Sequence, residues 1–249
     1  MSGHSKWHNI RLRKGKQDAE RGKMFTKVAR EIIVAAKEGG GGVDTNLRLR
    51  IAVQKARDVS MPADNIKRAI QRGTGEIEGA VYEEVTYEGY GPGGVAVMVK
   101  CLTDNRNRTV ADVRSCFVKC GGSLGESGCV AWKFDNRGVI SVAAQSADED
   151  TVMLTAIDAG AEDVEAGEDT IEVITQPEDL HSVRQALLDA GMAVTSAEIS
   201  MVPKDTIRLE EKEASQILRL VEALEDHDDV QQVYADFDIP DDILESLAK

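Results

Sequence analysis

Apolar side chains recur at every third or fourth position from Asp18 onward, at Met24, Phe25, Val28, Ile32 and Ala36. That spacing draws one stripe along a helix, which ends at the glycine run 39–42. A second helical stretch covers about residues 45–57, with Leu49, Val53 and Ala56 on one side. A third opens near Ser60 and Pro62, carries Ile66 and Ile70, and stops at Gly73. Three short helices, each with one apolar face, predict a small bundle.

Beyond Gly79 the texture changes to that of strands. Residues 81–87 and the apolar run 95–102 flank the turn Gly89-Tyr90-Gly91-Pro92-Gly93-Gly94, which reads as a hairpin. Asn105 or Asn107 is placed to cap a helix through about Lys119, with Val110, Val113 and Phe117 inward, and residues 129–134 supply another strand. The next segment alternates strand 138–143, helix 148–159, strands 163–165 and 170–175, helix 177–190 and strand 194–202. That β-α-β-β-α-β order is the ferredoxin-like arrangement, two helices on one face of an antiparallel sheet. The closing strand 206–209, helix 211–224 and strand 230–237 are too small to bury a core alone. They are expected to fold back onto the earlier hairpin and helix. The fold class is therefore α+β and multidomain: a basic helical domain at 1–78, a discontinuous α+β domain from 79–135 plus 204–249, and a ferredoxin-like α+β domain inserted at 136–203.

Charge changes this picture more than composition does. A formal net charge of −14 would ordinarily exclude a polyanionic partner, but residues 1–75 hold 17 Lys and Arg against 7 Asp and Glu, a net of +10, leaving −24 for the remainder. Between Lys6 and Arg30 lie nine cations, Lys6, Arg11, Arg13, Lys14, Lys16, Arg21, Lys23, Lys27 and Arg30, opposed only by Asp18 and Glu20. Residues 3–16 lack an apolar stripe, so they have no evident core to cover, and phosphate is the expected partner. Trp7 sits within this cluster and either stacks on a base or packs the arm against the bundle. Further cations at Arg48, Arg50, Lys55, Arg57, Lys67, Arg68 and Arg72 either extend the surface or merely face water and nearby carboxylates. The acidic remainder repels a polyanion, so binding is expected to be polarised. Its acidic face is either solvated or turned to a basic protein partner, such as a ribosomal protein or a polymerase subunit.

Other chemistry finds little support. Cys101, Cys116, Cys120 and Cys129 contain no CxxC pair, and they read as reduced thiols rather than as a zinc site. The glycine-rich turn lacks the Gly-Lys-Ser/Thr ending of a nucleotide loop and joins two strands. His181 and His227 stand apart from any evident catalytic partner. No enzyme activity, cofactor or metal is expected. The first residues are polar and basic with no apolar stretch behind them, and no apolar run is long enough to span a membrane, so a cytoplasmic location is expected.

Four motifs in order, Gly3-His4-Ser5-Lys6-Trp7, Gln17-Asp18 with Arg21-Gly22-Lys23 and Phe25-Thr26-Lys27, Glu88-Gly89-Tyr90-Gly91-Pro92-Gly93-Gly94, and Leu102-Thr103-Asp104-Asn105-Arg106-Asn107-Arg108-Thr109-Val110, resemble the YebC family from residue 3 to beyond Val202. Leu12 departs from the pattern, being apolar where relatives often carry a polar or basic residue, and receives no contact. The resemblance implies a helical N-terminal domain followed by two α+β domains. It also implies a function: bacterial members are described as probable transcriptional regulators that bind DNA, mitochondrial members activate translation, and some bacterial members are linked to the ribosome and relief of stalling. DNA and ribosomal RNA are thus both expected partners of the basic arm, and nothing in the residues separates them.

Overall fold

The structure, a computed structural model, describes residues 17–167 and 169–247. In chain order its elements are α1 (Gln17–Gly39), α2 (Leu47–Asp58), α3 (Ala63–Gly73), β1 (Glu83–Tyr90), β2 (Ala96–Thr103), α4 (Arg106–Lys119), β3 (Ser123–Leu124) and β4 (Phe134–Ala143). There follow α5 (Glu149–Asp158), β5 (Asp163–Ala166), β6 (Thr170–Thr175), α6 (Leu180–Asp189), β7 (Val194–Pro203), β8 (Ile207–Arg208), α7 (Glu211–Glu225), β9 (Val230–Ala235), β10 (Phe237–Asp238) and α8 (Asp241–Leu247). Two compact units result. One takes 132–208 with 236–239; the other takes the described residues up to 131, with 209–235 and 240–247.

In the larger unit the three predicted helices form a bundle whose core holds Val28, Ile32, Ile33, Leu49, Val53 and Ile66. Helix α1 packs against both α2 and α3, so its buried face is wider than one stripe: Ile33 and Ala35 join it, while Met24 lies 42% exposed. Asn46 ties the first corner. Its Oδ1 accepts from the Leu49 N–H at 3.0 Å and caps α2, while its Nδ2 donates to the carbonyls of Ala35 at 2.7 Å and Gly40 at 2.9 Å. At the other end, α3 comes so close to α1 that a Cβ on Gly73 would sit 2.5 Å from the Ile33 carbonyl oxygen.

The hairpin of β1 and β2 runs in antiparallel register from Glu83 opposite Thr103 to Tyr90 opposite Ala96. Its turn holds Gly93 at φ 72° and Gly94 at φ 77°, a backbone that glycine adopts without strain. The sheet order is β3-β1-β2-β9, so the tail strand does pair with the hairpin's second strand. Strand β2 is buried along nearly all its length, as its unbroken apolar run predicts for a central strand. Helices α4 and α7 pack on one another and on this sheet, burying Val113, Phe117, Ile217, Leu220 and Leu224.

The smaller unit has the order β5-β6-β4-β7 with every pair antiparallel, which is the ferredoxin-like order expected of its β-α-β-β-α-β sequence. Ile140, Val142, Val152, Ala156, Val173 and Leu187 form its core between the sheet and helices α5 and α6. Strand β4 starts at Phe134, earlier than expected, because β7 extends to pair Pro203 opposite Phe134. The tail carries two features its sequence did not announce. Residues 237–238 form a separate short strand pairing in parallel with β8, and helix α8 follows it.

The expected strand at 129–134 is absent up to Lys133. The N–H groups of Gly128, Val130 and Ala131 all donate to the buried carboxylate of Glu88, at 2.8, 2.9 and 2.8 Å. A side chain thus takes the donors that a neighbouring strand would have used. Residues 131–133 close instead as a 3-10 turn.

Candidate nucleic-acid interface

Lys6, Trp7, Arg11, Arg13, Lys14 and Lys16 lie outside the described residues, and Arg21 contributes its backbone to the opening of α1. The remaining three predicted cations all meet the turn between α7 and β9. Lys23 pairs with Asp226 at 3.4 Å, both about half exposed. Lys27 Nζ donates to the carbonyl of Glu225 at 2.6 Å, supplying a donor to a carbonyl that the end of α7 leaves without a helical partner. Arg30 donates to the Asp228 carbonyl and to Asp229 Oδ1, the latter at 2.7 Å, and its guanidinium lies 5.2 Å from the ring centre of Tyr82. With its side chain only 13% exposed, Arg30 is committed to this internal pairing. Helical spacing alone could not have distinguished it from Lys23.

The bundle's other cations divide sharply. Arg48 bridges Glu38 and Glu84, Arg50 donates to the carbonyls of Val43 and Asp44, and Lys55 pairs with Glu31 at 3.4 Å. Lys37, Arg57, Lys67, Arg68 and Arg72 are exposed and make no ion pair or hydrogen bond among the described residues. These five are the bundle cations without a protein partner among the described residues.

The segment Asp104–Thr109 builds a hydrogen-bonded node around Asp229. Asn105 caps α4 by accepting from the Arg108 N–H at 3.1 Å. Arg108 and the Thr109 hydroxyl donate to Asp229 Oδ2 at 2.9 and 2.7 Å. Burial pushes the Asp229 pKa up, but the hydrogen bonds from Thr109 and Arg108 and the charges of Arg30 and Arg108 outweigh it and hold the carboxyl below the ordinary aspartate range. His227 is part of the same assembly rather than isolated: Nδ1 accepts from the Asp229 N–H at 3.1 Å, and Nε2 lies 3.3 Å from Asp112. Asp229 stands far from its partners in sequence, so only its place one residue before an apolar strand hinted at a role.

All four cysteines are free thiols. Burial pushes the Cys101 thiol up to about 12 and raises Cys116, Cys120 and Cys129 as well, which favours the thiol over the thiolate. Among the described residues no three His, Cys, Asp or Glu side chains gather to hold a metal, and no helix is long and apolar enough to cross a membrane.

Comparison with known proteins gives this arrangement its relatives. The family profile described as the TACO1/YebC protein N-terminal domain matches residues 5–76, and that of the TACO1/YebC second and third domain matches residues 82–237. The chain is 55% identical over 249 residues to a probable transcriptional regulatory protein of Dictyoglomus turgidum, covering 100% of both. It is likewise 55% identical to proteins of that description from Pelotomaculum thermopropionicum, covering 97% of this chain and 100% of the relative, and from Geobacter sulfurreducens, covering 99% and 100%. A crystal structure of a conserved hypothetical protein from Aquifex aeolicus superposes with a TM-score of 0.83 at 49% identity, covering 91% of this chain and 94% of that one. With nearly its whole length matched by two profiles in order and by full-length relatives above half identity, the chain belongs to the TACO1/YebC family.

Proposed function

We propose that this protein is a non-enzymatic regulator of the cytoplasm that binds nucleic acid through its basic N-terminal region, with DNA-directed control of transcription as the first reading. Lys6, Arg11, Arg13, Lys14, Lys16, Arg21, Lys23 and Lys27 contact phosphates, Trp7 contributes a stacking surface, and Arg30 holds Lys27's helix in place. The observation that carries this reading is the charge asymmetry, a net of +10 over residues 1–75. It is sharpened by five exposed bundle cations without a carboxylate partner among the described residues. The names of the relatives in Dictyoglomus, Pelotomaculum and Geobacter agree with a regulatory role. Phosphate neutralisation releases condensed counterions, so around five contacts on duplex DNA give a log-log salt slope of about −4 to −5. The acidic remainder stays off the polymer and is available to a basic protein surface.

Ribosomal RNA is the second reading, because a row of guanidinium and ammonium groups meets either backbone alike. Pelleting with ribosomes at moderate salt, beside retention of a promoter fragment against bulk competitor duplex, tests both. Ribosome association abolished by Ala at Arg11, Arg13 and Lys14 supports the translational role; promoter retention no stronger than random duplex removes sequence-specific control of transcription.

A further inference from the structure

Between α1, α3 and the segment entering β1 lies an open cavity of about 320 Å³. That is at the lower end of the roughly 300–1,000 Å³ typical of small-ligand sites. Its base is apolar: Ile33, Met61 and Ala69 line it and are buried. Two aromatic side chains, Phe25 and Tyr82, form part of the wall. At the exposed edge stand Asn65, Arg68 and Arg72.

Two properties of these residues point to an occupant. Arg68 and Arg72, four positions apart and so on one face of α3, have no ion-pair or hydrogen-bond partner among the described residues. Moreover the Nε–H of Arg30, which lines the same cavity, is buried without an acceptor. Apolar depth, aromatic walls and guanidinium groups at the rim together fit a planar heterocycle joined to phosphate: rings stack on bases, and arginine grips phosphate with paired donors.

We propose that this cavity receives one unpaired nucleotide of a single strand, its base against Phe25 and Tyr82 and its flanking phosphates on Arg68 and Arg72. The proposal rests on the nucleic-acid reading above and narrows it, because a base inside a duplex is stacked and paired and cannot enter. A preference for unpaired strand over duplex follows.

Anisotropy of the full-length protein with a labelled single-stranded oligouridine dodecamer, and with an RNA duplex of equal length, tests this. R68A/R72A, at two exposed positions, should weaken single-strand binding about tenfold or more, while duplex binding through the basic N-terminal region falls by less than about threefold. Tyr82→Leu should weaken the single strand alone, by about tenfold, with the melting transition checked alongside. A 5-bromouridine strand irradiated on the protein should crosslink to peptides containing Phe25 or Tyr82. Equal losses on both probes would make the two arginines part of a general phosphate surface and overturn the proposal, as would no loss on either, or crosslinks confined to other peptides. Uridine monophosphate displacing the strand at comparable concentration would mark a pocket for free nucleotides and overturn it too. If the wild-type protein binds neither probe, the nucleic-acid reading itself fails; if duplex binding persists while the cavity variants change nothing, only the present proposal does.

Discussion

Asp229 draws its donors from two distant stretches of chain, Arg30 in α1 and Arg108 with Thr109 in α4, and its side chain is 3% exposed. Losing this carboxylate leaves the buried Thr109 hydroxyl and the largely buried Arg30 without their acceptor, at a cost of about 1–3 kcal/mol, while half-exposed Arg108 keeps Asp104. Asp229→Asn should lose stability of that order in urea unfolding at neutral pH, since its amide turns a donor toward donors. The dependence on pH follows from the sign of the shift. A carboxyl whose folded pKa lies below its ordinary 3.8 binds its proton more readily when unfolded. Its contribution is therefore present in full above about pH 4 and is lost as pH falls through the folded value. Glu88 behaves likewise: burial raises its pKa, but the three N–H donors of Gly128, Val130 and Ala131 outweigh that and lower it. Between pH 6 and pH 3 the urea midpoint of the wild type should fall more than that of Asp229→Asn; parallel falls would show that Asp229 is not linked to folding. Residues of this kind are where reading the sequence fails, since a carboxylate and its donors share no spacing. Lys23, Lys27 and Arg30 were visible as cations, but their partners in the α7–β9 turn, some two hundred positions away, were not.

The elements themselves were far more legible. Helical periodicity placed α1, α2 and α3 because each buries one face in a common core, and Gly73 was recognised as the end of α3. What periodicity could not say is why that glycine is required. Gly73→Ala sets a Cβ 2.5 Å from the Ile33 carbonyl oxygen, so α1 and α3 must separate; about 1–3 kcal/mol of stability should be lost, read as a lower urea midpoint. At the α1–α2 corner, Asp and Ser cap helices about as well as Asn does. Here they should differ, because Asn46 also donates to the carbonyls of Ala35 and Gly40. Asn46→Asp sets a carboxylate against both, so it should destabilise more than Asn46→Ser, and a reversed order would show that only the cap matters. The segment 129–134 failed for the opposite reason: its apolar run reads as a strand, but the Glu88 carboxylate from β1 consumes its N–H groups.

For the whole molecule, counting layers was informative. The hairpin with α4 lacked a second helix, and the tail offered one helix and two strands; β9 does lie against β2, with Val97 opposite Ala235 and Val99 opposite Val233. We propose from this that residues 136–203 are an insertion, leaving near Asp135 and returning near Pro203. Limited proteolysis at those two points should leave the fragment ending at 135 bound to the tail fragment on gel filtration; separate elution would count against it. The division of charge was equally plain from composition, whereas which cations stay free was not, because it depends on where the acidic side chains of other elements fall.

Arg30 belongs at once to the aromatic-walled cavity and to the Asp229 assembly, so the opening helix and the closing strands cannot loosen independently. Truncating the tail would strip α1 of its anchors at the opposite end of the chain. Under the proposed function, the polymer-binding helix and the turn before β9 are, in this sense, the two ends of one lever.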